Sequence, residues 1–180
     1  VRRVLGITDP DFAQAYSRLF NEFGPRGEME TSSVIADRLA WDPAHPIARV
    51  ALAYELLVLR RRGEIAALRA HTAIVRLDAR DQPVDGPLVV HLSHAFVEPA
   101  QRGTGLAAWL RALPLQAARR CAAATGCDPS TRIILVAEME APLASEPNRM
   151  LRLRSYERAG FQKVDPAAAP YAQPDFRSVE

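Results

Sequence analysis

Cysteine is nearly absent: Cys121 and Cys127 are the only two in 180 residues. Their spacing fits neither a zinc ribbon nor a redox pair, so no disulfide framework and no metal site are expected. A reduced, cytoplasmic setting follows. No apolar run approaches the roughly 20 residues of a membrane-spanning helix, and Val1–Gly6 lacks a signal-peptide core. The expectation is a soluble protein with no membrane partner. An excess of one charge is missing too, since 23 Lys and Arg face 21 Asp and Glu for a net charge of +2. The basic residues are nearly all arginine, interleaved with acids, and even the densest run, Arg60–Arg62, reads as a solvated strand end. A nucleic-acid partner is therefore not expected.

With 48% hydrophobic residues the chain can bury one sizeable core, and a single domain over residues 1–180 is the simplest reading. Val1 to Thr8 can form a first strand. Asp9-Pro10-Asp11 then introduces an amphipathic helix, Phe12 to Phe23, which Gly24-Pro25 ends. Thr31 to Ser33 can start a second short helix through Leu39. Val50 to Leu59 and Glu64 to Leu77 read as strands of one hairpin turning at Arg62-Gly63. Pro87 to Val97 is apolar on both faces and belongs mid-sheet. Leu106, Trp109, Leu110 and Leu113 share one helix face, and Pro114 predicts a kink or a restarted helix through Ala124. Arg132 to Met139 reads as a buried strand, Glu146 to Ala159 as the last helix and Phe161 to Val164 as a final strand. Pro166 to Pro174 reads as loosely ordered. This order gives a mixed α/β (α+β) fold with helices on both faces of a central sheet.

Arg102-Gly103-Thr104-Gly105-Leu106-Ala107 stands between a buried strand and an amphipathic helix. Unpaired N–H groups and the positive end of the helix are available to an anion there, and two glycines remove the Cβ atoms that would block it. A plain strand-to-helix turn is one reading. A dinucleotide fingerprint, Gly103-x-Gly105-x-x-Ala108, is another, but Glu98-Pro99-Ala100-Gln101 separates strand from glycine and too little chain follows for a second mononucleotide half.

The third reading is a resemblance. Val97-x-Pro99-x-x-Arg102-Gly103-x-Gly105-x-Ala107 resembles the strand-four and pyrophosphate-loop signature of the GCN5-related N-acetyltransferase (GNAT) family. Ser155-Tyr156-Glu157-Arg158-Ala159-Gly160-Phe161 is similar to its closing helix-to-strand signature. The likeness spans Pro87 to Val164 and is topological before that. It implies a GNAT-like acyl-CoA N-acyltransferase fold with a mostly antiparallel sheet, a cofactor-binding core at about 87–164 and acceptor-side helices at about 9–40. It departs from the family at Arg149, where an asparagine is frequent seven residues before the closing tyrosine, and at Pro114.

The resemblance implies an acetyl-CoA-dependent N-acetyltransferase in which a primary amine attacks directly in a ternary complex. The alternatives are a CoA or small-ligand sensor without turnover and a structural partner protein that binds no CoA. Acetyl-CoA would lie on the backbone of Ala95, Phe96 and Val97, with its pyrophosphate on Arg102, Gly103, Thr104, Gly105, Leu106 and Ala107. Tyr156 matches the family's acid position. An amine of pKa near 10 is neutral only about one time in a thousand at pH 7, so a base is needed. His91 and His94, three residues apart on a period of two, are expected on opposite sides of their strand, and His94 is the candidate base. Glu138 and Glu140 share one face at the end of a strand and could hold a cationic acceptor or relay a proton. Glu28 and Glu30 occupy the loop where the family contacts its acceptor, a small-molecule or peptide amine. A homodimer is admitted as an assembly.

Overall fold

A computed structural model describes residues 1–140, 143–165, 167–170 and 176. The sheet is built around a long hairpin of β2, Val50–Arg61, and β3, Glu64–Arg76. Its two-residue turn needs positive φ at both positions, and Arg62 (53°) and Gly63 (87°) provide it. The first strand, β1, is only Arg2–Arg3, paired antiparallel with β2. On the other side β3 pairs antiparallel with β4, Leu88–His91, and farther along with β5, Ala95–Val97. The far edge is β6, Ile133–Val136, parallel to β4. The order β1-β2-β3-β4-β6, with β5 off β3, is antiparallel except at β4–β6.

Alternation along β2 and β3 splits their apolar side chains between two faces. On one, Leu56, Val58, Leu68 and Ala70 pack against α1, Phe12–Phe23, and α2, Ser32–Leu39, through Ala15, Leu19, Phe23 and Ile35. On the other, Leu57, Leu59 and Ala67 meet Leu110 and Leu113, and Ala73 and Val75 meet Ala118 and Cys121. These partners come from α3, Leu106–Ala112, and α4, Pro114–Thr125. Leu113 between them keeps helical angles (φ −54°, ψ −40°) and still bonds Trp109, so Pro114 marks a joint rather than an end. The last helix is α5, Pro147–Arg158. Among the described residues no helix is long and apolar enough to cross a membrane.

Three expectations need correction. The run from Pro87 to Val97 is two strands, because an extra residue interrupts it. β6 is half-exposed rather than buried, with Val136 43% accessible, since among the described residues β4 is its only strand partner. Phe161 to Val164 form no strand: the Phe161 N–H bonds back to the Tyr156 carbonyl at 3.1 Å, with Gly160 at φ 90°, so the segment closes α5 instead. The expected loose stretch from Pro166 to Pro174 falls partly outside the described residues, at 166 and 171–174.

Candidate active site

The interruption after β4 shapes the site. Thr72 faces His91, so an unbroken strand would set Ala70 opposite Ser93; instead Ala70 exchanges backbone bonds with His94, at 2.8 and 3.3 Å. One residue is therefore inserted, a β-bulge, and the side-chain phase resets. His91, Ser93 and His94 consequently line one cavity, which corrects the expectation that the two histidines face apart. Beyond the bulge the sheet also opens. The Leu92 N–H still reaches Val136, at 2.7 Å, but among the described residues β5 has no partner on the β6 side.

That edge is available to a ligand. His94 and Glu98 direct their backbone bonds to β3, so by the antiparallel alternation Phe96 does too, and Ala95 and Val97 point N–H and C=O away from it. The backbone of Phe96 is thus used inside the sheet and its side chain is buried in the core. Arg102 Nε donates to the outward Val97 carbonyl at 3.2 Å, and Thr104 Oγ1 donates to the Gln101 carbonyl at 2.6 Å, which together fold the loop back on the strand end. Gly103 and Gly105 have φ of 77° and 86°, and a Cβ at either would meet nothing within 4 Å. Among the described residues no acceptor takes the N–H groups of Gly103, Thr104, Gly105, Leu106 or Ala107. Consecutive free amides beside open space, at the mouth of a helix, fit the pyrophosphate of CoA.

The cavity, of about 410 Å³, lies on the α1–α2 face between the loop after α1 and the end of β6. It receives all four carboxylates expected there, Glu28, Glu30, Glu138 and Glu140, but most are already paired. Arg26 meets Glu28 at 3.0 Å, and Arg38 meets Glu30 at 2.6 Å. Glu140 lies between Arg152 at 3.0 Å, Arg149 at 3.4 Å and Arg26 at 4.0 Å, which holds α5 to the loop after α1. Glu30 is 8% exposed, and its Oε2 has no partner among the described residues. Glu138 accepts from His91 Nε2 at 2.9 Å.

His94 Nε2 lies 2.8 Å from the Glu28 carbonyl, which can only accept, so Nε2 carries the proton and the lone pair is on Nδ1. Burial pushes this imidazole below its usual range, against a smaller opposing pull from that carbonyl and from Glu30 and Glu28. Nδ1 is itself buried and has no partner among the described residues, and the imidazole ring packs against Phe23 with ring centroids 4.8 Å apart. Tyr156 lies on the opposite face, edge-on to Phe161 at 4.9 Å and under the Arg111 guanidinium at 5.4 Å. Its hydroxyl neighbours Arg69, a guanidinium 1% exposed whose charge burial disfavours and Tyr156 favours. Among the described residues Arg69 Nε and Nη2 have no acceptor. Sequence reading missed Arg69 and Ser93; a charge inside an apolar strand was the one available signal for Arg69.

No family model and no curated protein matches the sequence. Solved structures do resemble the fold. An aminoglycoside acetyltransferase from an uncultured soil metagenomic sample aligns over 91% of this chain and 87% of its own, with TM-score 0.52 and 16% identity. A putative acetyltransferase from Agrobacterium tumefaciens str. C58 aligns over 86% and 89%, with TM-score 0.51 and 16% identity. AAC(6')-Iy in complex with a bisubstrate analogue, CoA-S-monomethyl-acetylneamine, aligns over 91% and 90%, with TM-score 0.50 and 18% identity. At such identity the likeness carries the fold, and the fold is that of the GNAT acetyltransferases.

Proposed function

We propose that the protein is an N-acetyltransferase that moves an acetyl group from acetyl-CoA to a primary amine. The observation that carries this reading is the edge of β5, unpaired among the described residues, running into the amides of Gly103 to Ala107, which have no acceptor there, with a polar cavity at the other end of that edge. Acetyl-CoA would supply the acyl group already activated as a thioester. The amides from Gly103 to Ala107 hold the pyrophosphate, Arg102 adds charge beside it, and Ala95 and Val97 pair with the pantetheine amides as a further strand would. Its reacting end would lie where β5 diverges from the β4–β6 pair, between the cavity and Tyr156.

On the acceptor side, Glu28, Glu30, Glu138 and Glu140 favour an ammonium over an anion. The arginines on Glu28, Glu30 and Glu140 make this a mixed surface suited to an acceptor carrying hydroxyls as well as amines. Tyr156 is the group that gives a proton to the departing sulfur. His94 holds the loop after α1 in place through the Glu28 carbonyl.

The experiment is acetyl-CoA turnover against neamine, spermidine, lysine and an alanine-initiated peptide, following thiol release and acceptor mass together. One acceptor is expected to gain one acetyl mass per thiol released. CoA binding without thiol release with any amine would identify a sensor instead, and no CoA binding would overturn the reading altogether.

A further inference from the structure

The cavity contains a hydrogen-bonded chain of three side chains. Ser93 Oγ is 3.3 Å from His91 Nδ1, and His91 Nε2 is 2.9 Å from Glu138 Oε1. The Glu138 carboxylate can only accept, so Nε2 of the neutral ring carries the hydrogen and the lone pair lies on Nδ1, where the Ser93 hydroxyl donates. We infer that His91, held by Glu138, is the base that takes the proton from the acceptor ammonium. This rests on the acetyltransferase reading.

Geometry favours His91 over His94. Both line the same cavity, but His94 Nδ1 is sealed from it and His94 Nε2 is committed to the Glu28 carbonyl. The side chains of His91 and Glu138 are 34% and 32% exposed, so an amine reaches this ring without displacing the core. Imidazole is also the side chain whose ordinary ionisation lies near neutrality, which suits a base of this kind. The third contact matters as well: Ser93 occupies the lone pair at rest and yields it to the stronger donor, an ammonium.

The balance is simple. One N–H bond of the ammonium breaks and an Nδ1–H bond forms, leaving the electron pair on the amine nitrogen and an imidazolium against Glu138. That pair forms the C–N bond while the thioester C–S bond breaks with its electrons on sulfur. The amide sheds its second proton as sulfur takes one up, and the imidazolium returns its proton to water.

The test combines kinetics with NMR. In the parent, log(kcat/KM) is expected to fall at acid pH along a limb that coincides with the ionisation followed at the His91 Hε1 resonance. His91→Gln should lose about 100-fold in kcat/KM at pH 7 and lose the limb, with CoA affinity unchanged. Glu138→Gln should lose at least about tenfold, again with CoA affinity unchanged. A limb that persists in His91→Gln, or a His91 ionisation that does not follow it, overturns the inference while the parent's activity leaves the acetyltransferase reading standing. Acetylated Ser93 in the parent, detected by mass after acetyl-CoA alone, would also overturn it in favour of a covalent route. A parent that transfers acetyl to no amine overturns both.

Discussion

His94, from the bulge after β4, donates Nε2–H to the carbonyl of Glu28, in the loop after α1, at 2.8 Å. One bond thus joins the strand that would carry acetyl-CoA to the segment that would meet the acceptor. Burial favours the neutral form of this ring, as it does for His71, 0% exposed beside Glu55.

Both imidazoles are pushed down chiefly by burial, so the unfolded chain binds more protons than the folded one below about pH 6.5. Stability from neutral His71 and His94 is therefore full above that pH and declines as pH falls, by up to about 1.4 kcal/mol per unit for each. Glu55, held down to about 2 against its burial by His71 and Arg120, adds its own loss only below about pH 4.5. Urea unfolding at pH 7.5, 6.5 and 5.5 should show falling stability, with a shallower slope in His94→Gln. A flat profile from 7.5 to 5.5 would contradict the two buried neutral rings.

At the loop, Gly105→Glu puts a side chain at φ 86° and a carboxylate among the free amides. CoA affinity should drop at least about 100-fold, some 2.7 kcal/mol, with a smaller change in melting temperature. Calorimetric titration of folded variant and parent makes the comparison, and equal affinities would remove the loop from the cofactor site.

Tyr156→Phe keeps the contacts of the ring with Phe161 and Arg111 and deletes only the hydroxyl. The single-turnover rate should fall at least about tenfold, with CoA affinity nearly unchanged. A full rate would make Tyr156 a packing residue.

Arg69 gives a stability counterpart. A buried guanidinium whose Nε and Nη2 have no acceptor among the described residues costs more than an apolar side chain of similar shape, so Arg69→Met should hold or raise the urea midpoint. A loss above about 3 kcal/mol would mean that the charge is satisfied in the folded protein.

Much of this was legible where the signal is local. The bounds of α1 follow from Asp9-Pro10-Asp11 and Gly24-Pro25, and the β2–β3 hairpin from Arg62-Gly63. The joint at Pro114 follows from a missing N–H, and the glycine loop from its place between strand and helix. Long-range features were hidden. Period-two counting assumes an uninterrupted strand, and one inserted residue after His91 brought His94 to the same side. The bond between His91 and Glu138 joins residues 47 positions apart, and the arginines around Glu140 come from α5 and the loop after α1, so neither pairing leaves a mark in a local pattern. Phe161 to Val164 has strand composition, but Gly160 turns the chain back on α5 before a strand can pair.

The most direct measurement is a titration of the ¹⁵N-labelled protein with CoA, followed amide by amide. Binding along the open edge and in the loop should move Ala95, Val97, Gly103, Thr104, Gly105, Leu106 and Ala107 together on one isotherm, while Phe96, whose N–H is used inside the sheet, moves less. Shifts confined to other parts of the molecule, or none at saturating CoA, would contradict the cofactor site and the acetyltransferase function built on it.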